Sequence, residues 1–415
     1  MFDVLDIASR NLLRYRRRSL LTLLLIVIGM VAVLLFVAVA GSFKSMMVGQ
    51  ITDSVLGHLQ VHRKGYVASI DNLPLNLNMK PGMVARVEEG LKQSPAVENW
   101  SPRVKFGGMF SNFAETTSIR VNGIDPAREA ATTPLLPGRM LDGDKAGPLV
   151  GKGQIVIPML LARGMKTRVG DTVVVVATNR DGSVNGKTFV VRGILESVTG
   201  PGGRDGYIHI DDARELLRMT EAEVSEIAVR LKDFSRLDQV DAQLKQSLGS
   251  LANKEGKPVI EVHTWADLSP FANLARMIDL MTLFIKIVLV SIVLVSVMNV
   301  MIMAVFERIR EIGTIAAIGT SPSRILLLFL SEGLMLGIVG TVAGIVLSLA
   351  AIFGINLWQP TFNFGMQQNL VMAPTIAAGD VLTIAALVVL VAVIASLQPA
   401  WKASRMDPIT ALRHV

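Results

Sequence analysis

The sequence contains no cysteine, which excludes disulfides, thiolate-bound metals and cysteine nucleophiles and leaves the redox compartment open. Aromatic residues make up only 5% of it, and no series of stacking aromatics runs through the arginines. The formal charge of +7 therefore reads as a membrane-surface feature rather than a nucleic-acid one. Histidine is scarce. In a strand, His58 and His62 share a face but stand about 13 Å apart, too far to chelate one ion with bonds near ~2 Å. His209, His263 and His414 show no ligand spacing. No serine occupies a G-x-S-x-G elbow, so hydrolysis within the chain has no support. The nearest approach to a phosphate-binding loop, Asp181–Thr188, has Asp181 where the first glycine is required. It also joins two expected strands instead of opening a helix, so it reads as a hairpin turn. No internal repeat is evident, and the first apolar run is too long for a cleavable signal.

What the chain has in quantity is apolar sequence. Hydrophobic residues make up 51% and the mean hydropathy is +0.49, values that point to an integral membrane protein. Leu20–Ala40 carries no charge; as a helix it spans about 31 Å, against a hydrocarbon core of about 30 Å. Three further runs follow at Ile287–Phe306, Ile325–Leu357 and Val381–Leu397, the last closed by Pro399. The predicted spans are 20–42, 279–306, 324–357 and 380–398. Before them, residues 1–19 place Phe2, Leu5, Ala8, Leu12 and Tyr15 on one helical stripe and Arg10, Arg14 and Arg17 on another. That is the pattern of an interfacial helix facing anionic lipid headgroups. The tail, 399–415, is basic, with Trp401 expected at headgroup level.

Between the first two spans, residues 43–278 read as a soluble α/β domain with helical stalks at either end. Leu56–His62, Ser118–Asn122, Gln154–Ile157, Thr172–Ala177, Thr188–Val191, Tyr207–Ile210 and Glu226–Leu231 are rich in β-branched residues and bounded by turn formers. Pro81–Ser94, Pro158–Arg163, Asp211–Met219 and Leu237–Leu248 read as helices. Loops fall at Pro134–Gly153 and Gly200–Gly206. The fold class is thus an α-helical membrane domain of four transmembrane helices plus an extracytoplasmic α/β domain inserted between the first and the second. Arg10, Arg14, Arg16, Arg17 and Arg18, then Arg308, Arg310 and Arg324, then Lys402, Arg405 and Arg413 all fall on one side of such a bundle. The positive-inside rule makes that side, with both termini, cytoplasmic.

The chemistry concentrates in residues 307–323, ERIREIGTIAAIGTSPS, a charged island between two spans. As a helix it aligns Ile309, Ile312 and Ala316 on one stripe and pairs Glu307 with Arg310 and Arg308 with Glu311. It is amphipathic, lies on a membrane face and is offered to a partner. Glu332 is an acidic residue inside the next apolar run, about 10 Å in from its start. A charge at the membrane centre costs on the order of 2.5–3.5 kcal/mol, so Glu332 is expected to reach a basic group or the interface. A structural contact, a part in coupling and a substrate contact all remain open for it. Gly333, Gly337, Gly340 and Gly344 include two G-x-x-x-G spacings that allow close helix contact. Residues 358–379 form a short loop. A ligand sensor would need an output domain that the cytosolic segments are too short to supply, and a membrane enzyme has no catalytic constellation behind it.

ERIREIGTIAAIGTSPSRILLLFLSEG resembles the signature of FtsX-like, or MacB-type, ABC-transporter permeases: E-R-x-R-E-I-G, an Ala/Gly pair, then F-L-x-E-G. NLLRYRRRSLLT, LLPGRMLDGD, GKTFVVRGILESV and PAWKASRMDPITALR also resemble stretches of that family. The resemblance implies a dimer, with a second copy or a homologous permease, in the bacterial inner membrane. It also implies a pair of cytosolic ABC ATPase subunits that hold ATP and Mg, with no cofactor in this chain, and leaves room for a periplasmic adaptor, carrier or lipoprotein. Residues 307–323 become the coupling helix, with Glu307, Arg308, Arg310, Glu311, Ile312, Gly313 and Gly319 at the ATPase contact. Glu332, Gly333, Gly337, Gly340 and Gly344 become the helix-packing and coupling set. The implied action is mechanotransmission, in which ATP-driven closure moves the outer domains through the stalks. GYIHIDDARELL is similar to lipoprotein-releasing subunits, whereas EIGTIAAIG and FLSEG sit nearer the MacB-type efflux permeases. Lipoprotein or lipophile extraction, drug or peptide efflux, and signalling to a periplasmic partner such as a cell-wall hydrolase are the implied functions.

Overall fold

The computed structural model describes residues 16–197, 205–249, 258–364, 367–407 and 411. Most of the interfacial helix expected over 1–19, most of the loop at Gly200–Gly206 and the end of the tail lie outside the described residues.

The first charge-free run lies in α1 (Arg16–Ile51), which continues past its apolar part. One π-turn, Thr52–Leu56, follows, and Gly57 at φ 75° turns the chain into β1 (Leu59–Arg63). Next come α2 (Pro81–Gln93) and the hairpin of β2 (Val97–Ser111) with β3 (Thr116–Ile124). Asp125 then accepts from the N–H groups of Ala127 and Arg128 and starts α3 (Pro126–Thr132), with proline at its first position. The chain continues through β4 (Met140–Gly143), β5 (Gln154–Pro158), α4 (Met159–Gly164), β6 (Thr172–Thr178), β7 (Val184–Leu195), β8 (Asp205–His209) and α5 (Ile210–Leu216). It closes this region with β9 (Glu226–Leu231), α6 (Leu237–Gly249), β10 (Ile260–Thr264) and the short α7 (Trp265–Leu268). The remainder is α8 (Phe271–Glu307), α9 (Ile309–Ala317), α10 (Pro322–Trp358), the hairpin of β11 (Thr361–Phe364) and β12 (Gln367–Val371), and α11 (Ala378–Ser404).

The chain divides into two compact units. One takes in Met46–Ala275 and Phe362–Leu370 and holds the ten-stranded sheet. Its strand pairs are antiparallel except β3–β8 and β5–β7. The hydrogen-bonded circuit β2–β3–β8–β5–β7–β6 returns to β2 and so closes on itself. Inside it pack Phe106, Phe110, Val121, Ile155, Val175, Phe189 and Ile208. The first half of β2 leaves the circuit to pair with β9, which continues to β1 and β10.

The other unit takes in the chain up to Ser45, Arg276–Thr361 and the chain from Val371. Among the described residues, four helices, α1, α8, α10 and α11, are long and apolar enough to cross a membrane. Ile26, Met30, Leu34, Val293, Val297, Met301, Phe329, Leu336 and Val388 form their shared core.

Several elements depart from the sequence reading. β2, β4, β10 and α3 were not anticipated. β2 contains Pro102, Gly107 and Gly108, which interrupt the period-two pattern and mask a long strand. Pro399 does not end the last helix but lies inside α11. Its missing N–H is tolerated because Ala400 and Ala403, buried in the helical core, hold the continuation in place. Asp181–Thr188 spans the β6–β7 hairpin turn and the start of β7, with Gly182 at φ 85°.

Candidate functional site: the charged island between two membrane helices

The island is not one helix. It breaks at Arg308 (φ −110°, ψ 15°), re-forms as α9, and ends at Gly319. The ending has a specific geometry: Thr320 N–H bonds to Ile315 C=O and Gly319 N–H to Ala316 C=O. Those two bonds make a Schellman cap, which requires a left-handed residue at its turn. Gly319 supplies it at φ 96°, so its part is to stop the helix. Ser321 and Pro322 then start α10.

α9 has two faces. Arg308, Ile309, Ile312 and Gly313 are buried, and Ile312 belongs to the core shared by the membrane helices. The expected stripe through Ile309 and Ile312 is therefore the inner face. Glu307, Arg310, Glu311, Thr314, Ile315, Ala317 and Ile318 are exposed, with Ile318 at 80%. Of the residues expected at the partner contact, Glu307, Arg310, Glu311 and Gly319 lie on the open side. Ile312 and Gly313 do not; they pack inward. Ile315 and Ile318 were missed, although both sit on the polar side of the same helical pattern, where an isoleucine has no core to fill.

Arg308 turns inward. Its Nη1 donates to Glu332 Oε1 at 2.7 Å, with both side chains buried. Glu332 stands about two turns into the apolar part of α10 and thus meets the basic group that its depth called for. Glu311, the i,i+3 partner expected for Arg308, is exposed.

The glycines of α10 divide by neighbour. A Cβ on Gly333 would lie 2.7 Å from Ser396 Cβ, and one on Gly337 would lie 2.9 Å from Ala392 Cβ, both on α11. On Gly340 and Gly344 it would lie 2.7 Å from Ile26 Cγ2 and 2.6 Å from Met30 Cβ, both on α1. Each four-residue spacing therefore admits a different helix. α1 also approaches α8 closely, since a Cβ on Gly29 would lie 2.5 Å from Val293 Cγ2. At the far end of these helices Lys44 Nζ pairs with Asp279 at 2.6 Å. Beside the island's end of α11, Arg405 stacks on Trp401, 4.6 Å from the ring centre.

Residues 19–247 match the MacB-like periplasmic core domain, and residues 283–408 match the FtsX-like permease C-terminal domain. The chain belongs to the family of MacB- and FtsX-like permeases. This permease is 24% identical over 408 residues to the lipoprotein-releasing system transmembrane protein LolC of Neisseria meningitidis serogroup B, covering 94% of this chain and 92% of that protein. It is 26% identical over 435 residues to the macrolide export ATP-binding/permease protein MacB of Bdellovibrio bacteriovorus, covering all of this chain and 62% of that protein. Among solved structures, the periplasmic region of MacB from Actinobacillus actinomycetemcomitans aligns with a TM-score of 0.36 and 13% identity, over 53% of this chain and 92% of that one. The relatives LolC and MacB are transporter permeases, and this chain is a multi-pass membrane permease of the same kind.

Proposed function

We propose that this permease is the membrane subunit of an ABC transporter that extracts or exports a lipophilic substrate or lipoprotein toward the cell envelope. A separate cytosolic ATPase pair holds ATP and Mg and docks on α9. The two termini and α9 face the cytoplasm of a bacterial inner membrane, the sheet unit faces the periplasm, and a second copy or homologous permease completes the assembly. The observation that carries this reading is the division of α9. One face is anchored in the helical core, and the other presents Arg310, Glu311, Ile315 and Ile318 beside the membrane. Such a surface combines an apolar anchor with charges that set register, as protein interfaces do.

Arg308 and Glu332 complete the coupling. A push on α9 acts at the break where α8 ends, and the buried ion pair passes it to α10. The reach of the LolC match over nearly all of both chains favours lipoprotein extraction. The match to the export protein MacB keeps efflux as the second reading.

The test is coexpression with cytosolic ABC ATPase subunits from the same organism. Wild type should copurify with it and stimulate hydrolysis. Ile318→Asp and the exchange Arg310→Glu/Glu311→Arg should abolish both while leaving the thermal transition in place. Unchanged copurification in these variants would remove α9 as the dock. Mass spectrometry of the wild-type complex should find acylated protein, and its consistent absence would favour efflux.

A further inference from the structure

The last turn of α1 enters the sheet unit as a π-turn, and three consecutive residues of that turn are each held by a different arginine. Arg230 on β9 donates from Nη1 to Asp53 Oδ1 and from Nε to Glu98 Oε2 at 3.0 Å. Arg139, in the turn before β4, donates from Nη1 to Ser54 Oγ at 3.4 Å and from Nη2 to Glu196 C=O. Arg103 on β2 donates from Nη1 to Val55 C=O at 2.8 Å. The carbonyls at a helix end have no partner within the helix and usually turn to water or a cap. Here the sheet takes them: Val55 C=O goes to Arg103, and Asp53 C=O accepts from Leu135 N–H at 2.9 Å.

The arginines are themselves fixed. Arg103 grips Glu129 in a fork, Nε to Oε2 at 3.0 Å and Nη2 to Oε1 at 2.6 Å, and also reaches Glu226 at 3.0 Å. Arg103, Glu129 and Glu226 are all buried. His58 adds a second side-chain hold on the Asp53 carboxylate. Its Nδ1 accepts from Leu231 N–H at 3.0 Å, so Nε2 carries the proton and donates to Asp53 Oδ1 at 3.3 Å. Each guanidinium bonds one residue of the turn and a second group of the sheet unit (Glu98, Glu196 C=O or Glu129), so its plane is fixed and the three successive residues are constrained in rotation as well as separation.

The other connection differs. α7 ends at Ser269, which is extended (φ −118°, ψ 129°), and Pro270 precedes α8. Among the described residues, no ion pair reaches Ser269–Ala275, and the one side-chain hydrogen bond there is local, from Phe271 N–H to Ser269 Oγ at 3.3 Å.

We propose that Arg103, Arg139 and Arg230 are positioning residues that make the α1 end a rigid clasp, so that displacement of α1 carries the sheet with it, while the Ser269–Pro270 link is the compliant connection. This rests on the reading of the chain as a transmitter of movement. It adds that α1 is the lever and α8 the follower.

The absence of cysteine allows clean labelling of the full chain in lipid nanodiscs. Spin labels at Ser45→Cys with Ala114→Cys span the clasp, and labels at Asn273→Cys with Ala114→Cys span the link. The first pair should give one narrow distance distribution and the second a broader one. Asp53→Ala with Arg139→Ala should broaden the first distribution, and Arg230→Lys, which keeps the charge but loses the two-armed grip on Asp53 and Glu98, should broaden it to a smaller extent. Equal widths for the two pairs in the unmutated background, or an unchanged first distribution in the double variant, would overturn the clasp. No ATPase is present in these measurements, so a failure of ATPase docking would refute the proposed function without touching this result.

Discussion

Arg308 donates to Glu332 at 2.7 Å across 24 residues of sequence, with the two side chains 5% and 1% exposed. The pair joins the break between α8 and α9 to the first apolar turns of α10. Removing one member of a buried pair leaves an uncompensated charge and costs about 3–5 kcal/mol, whereas replacing both with apolar side chains of similar volume is often neutral. Glu332→Ala should therefore lower the thermal transition of the detergent-solubilised chain sharply. Arg308→Met with Glu332→Leu should recover most of the loss. If the double variant also has lost ATPase stimulation, the charges serve coupling beyond holding the fold. Full stimulation in the double variant would confine the pair to stability.

The glycines of α10 offer a graded comparison. Gly333→Ala and Gly344→Ala place a methyl against Ser396 Cβ at 2.7 Å and Met30 Cβ at 2.6 Å. Overpacking of this kind costs about 1–3 kcal/mol. Gly354 lies in the same helix with nothing within 4 Å of an added Cβ, and Gly→Ala in an open helical position gains roughly 0.5–1 kcal/mol. The first two variants should melt earlier than wild type in one detergent, and Gly354→Ala at the same temperature or later. Equal melting of all three would mean that the helices separate without cost.

Much of this fold can be read from local pattern, and what cannot has a physical reason. Leu20–Ala40 and the three later runs mark helices because no soluble segment sustains such lengths without charge. The inner stripe of α9 is legible from the spacing of Ile309 and Ile312. The partner of Arg308 is not, because an arginine beside Glu311 in a helical pattern looks like half of a surface pair. Its true partner is set by how α8 and α10 pack. β2 stays hidden for a similar reason: Pro102 and the Gly107–Gly108 pair weaken its propensity, and only pairing to β9, β3 and β6 makes it a strand. The start of α3 was readable, since Asp125 followed by Pro126 is a helix-start signal.

The sheet unit carries a pH dependence centred on His62. It is fully buried on β1, stacks on Tyr66 with ring centres 5.3 Å apart, and lies 5.6 Å from His263. Glu226 on β9 is 3.6 Å from its Nε2, but that carboxylate is already matched by Arg103 and Lys105 at 3.0 and 3.1 Å. Glu261 on β10 is its register partner. Burial depresses the His62 value below its ordinary one, and the nearby Glu226 only partly opposes this. A depressed histidine contributes its full stability above the unfolded value of about 6.5 and loses it as pH falls below that, because the unfolded chain takes up the proton first. Glu226 is itself held low, since its cationic neighbours outweigh burial, and its contribution fades only below the ordinary carboxylate range. Chemical denaturation of the full chain should thus show stability dropping as pH falls below about 6.5, and His62→Phe should flatten that step. A slope unchanged in His62→Phe would assign the step elsewhere.

Gly319 tests whether the shape of α9 matters apart from its side chains. Its φ of 96° lies in the left-handed region, and an added Cβ would meet nothing within 4 Å. The cost of a substitution there is therefore conformational, about 1–2 kcal/mol for a branched residue, with no steric contribution. Gly319→Val should unwind the Schellman cap and shift Ile318, which stands next to it, with little effect on the helical core. Gly319→Asn should be milder, because asparagine tolerates the left-handed region. The expected order of ATPase affinity is wild type, then Asn, then Val, with thermal transitions close together. Affinities that follow the thermal transitions instead of this order would show that α9 acts only through overall stability and not as a shaped surface.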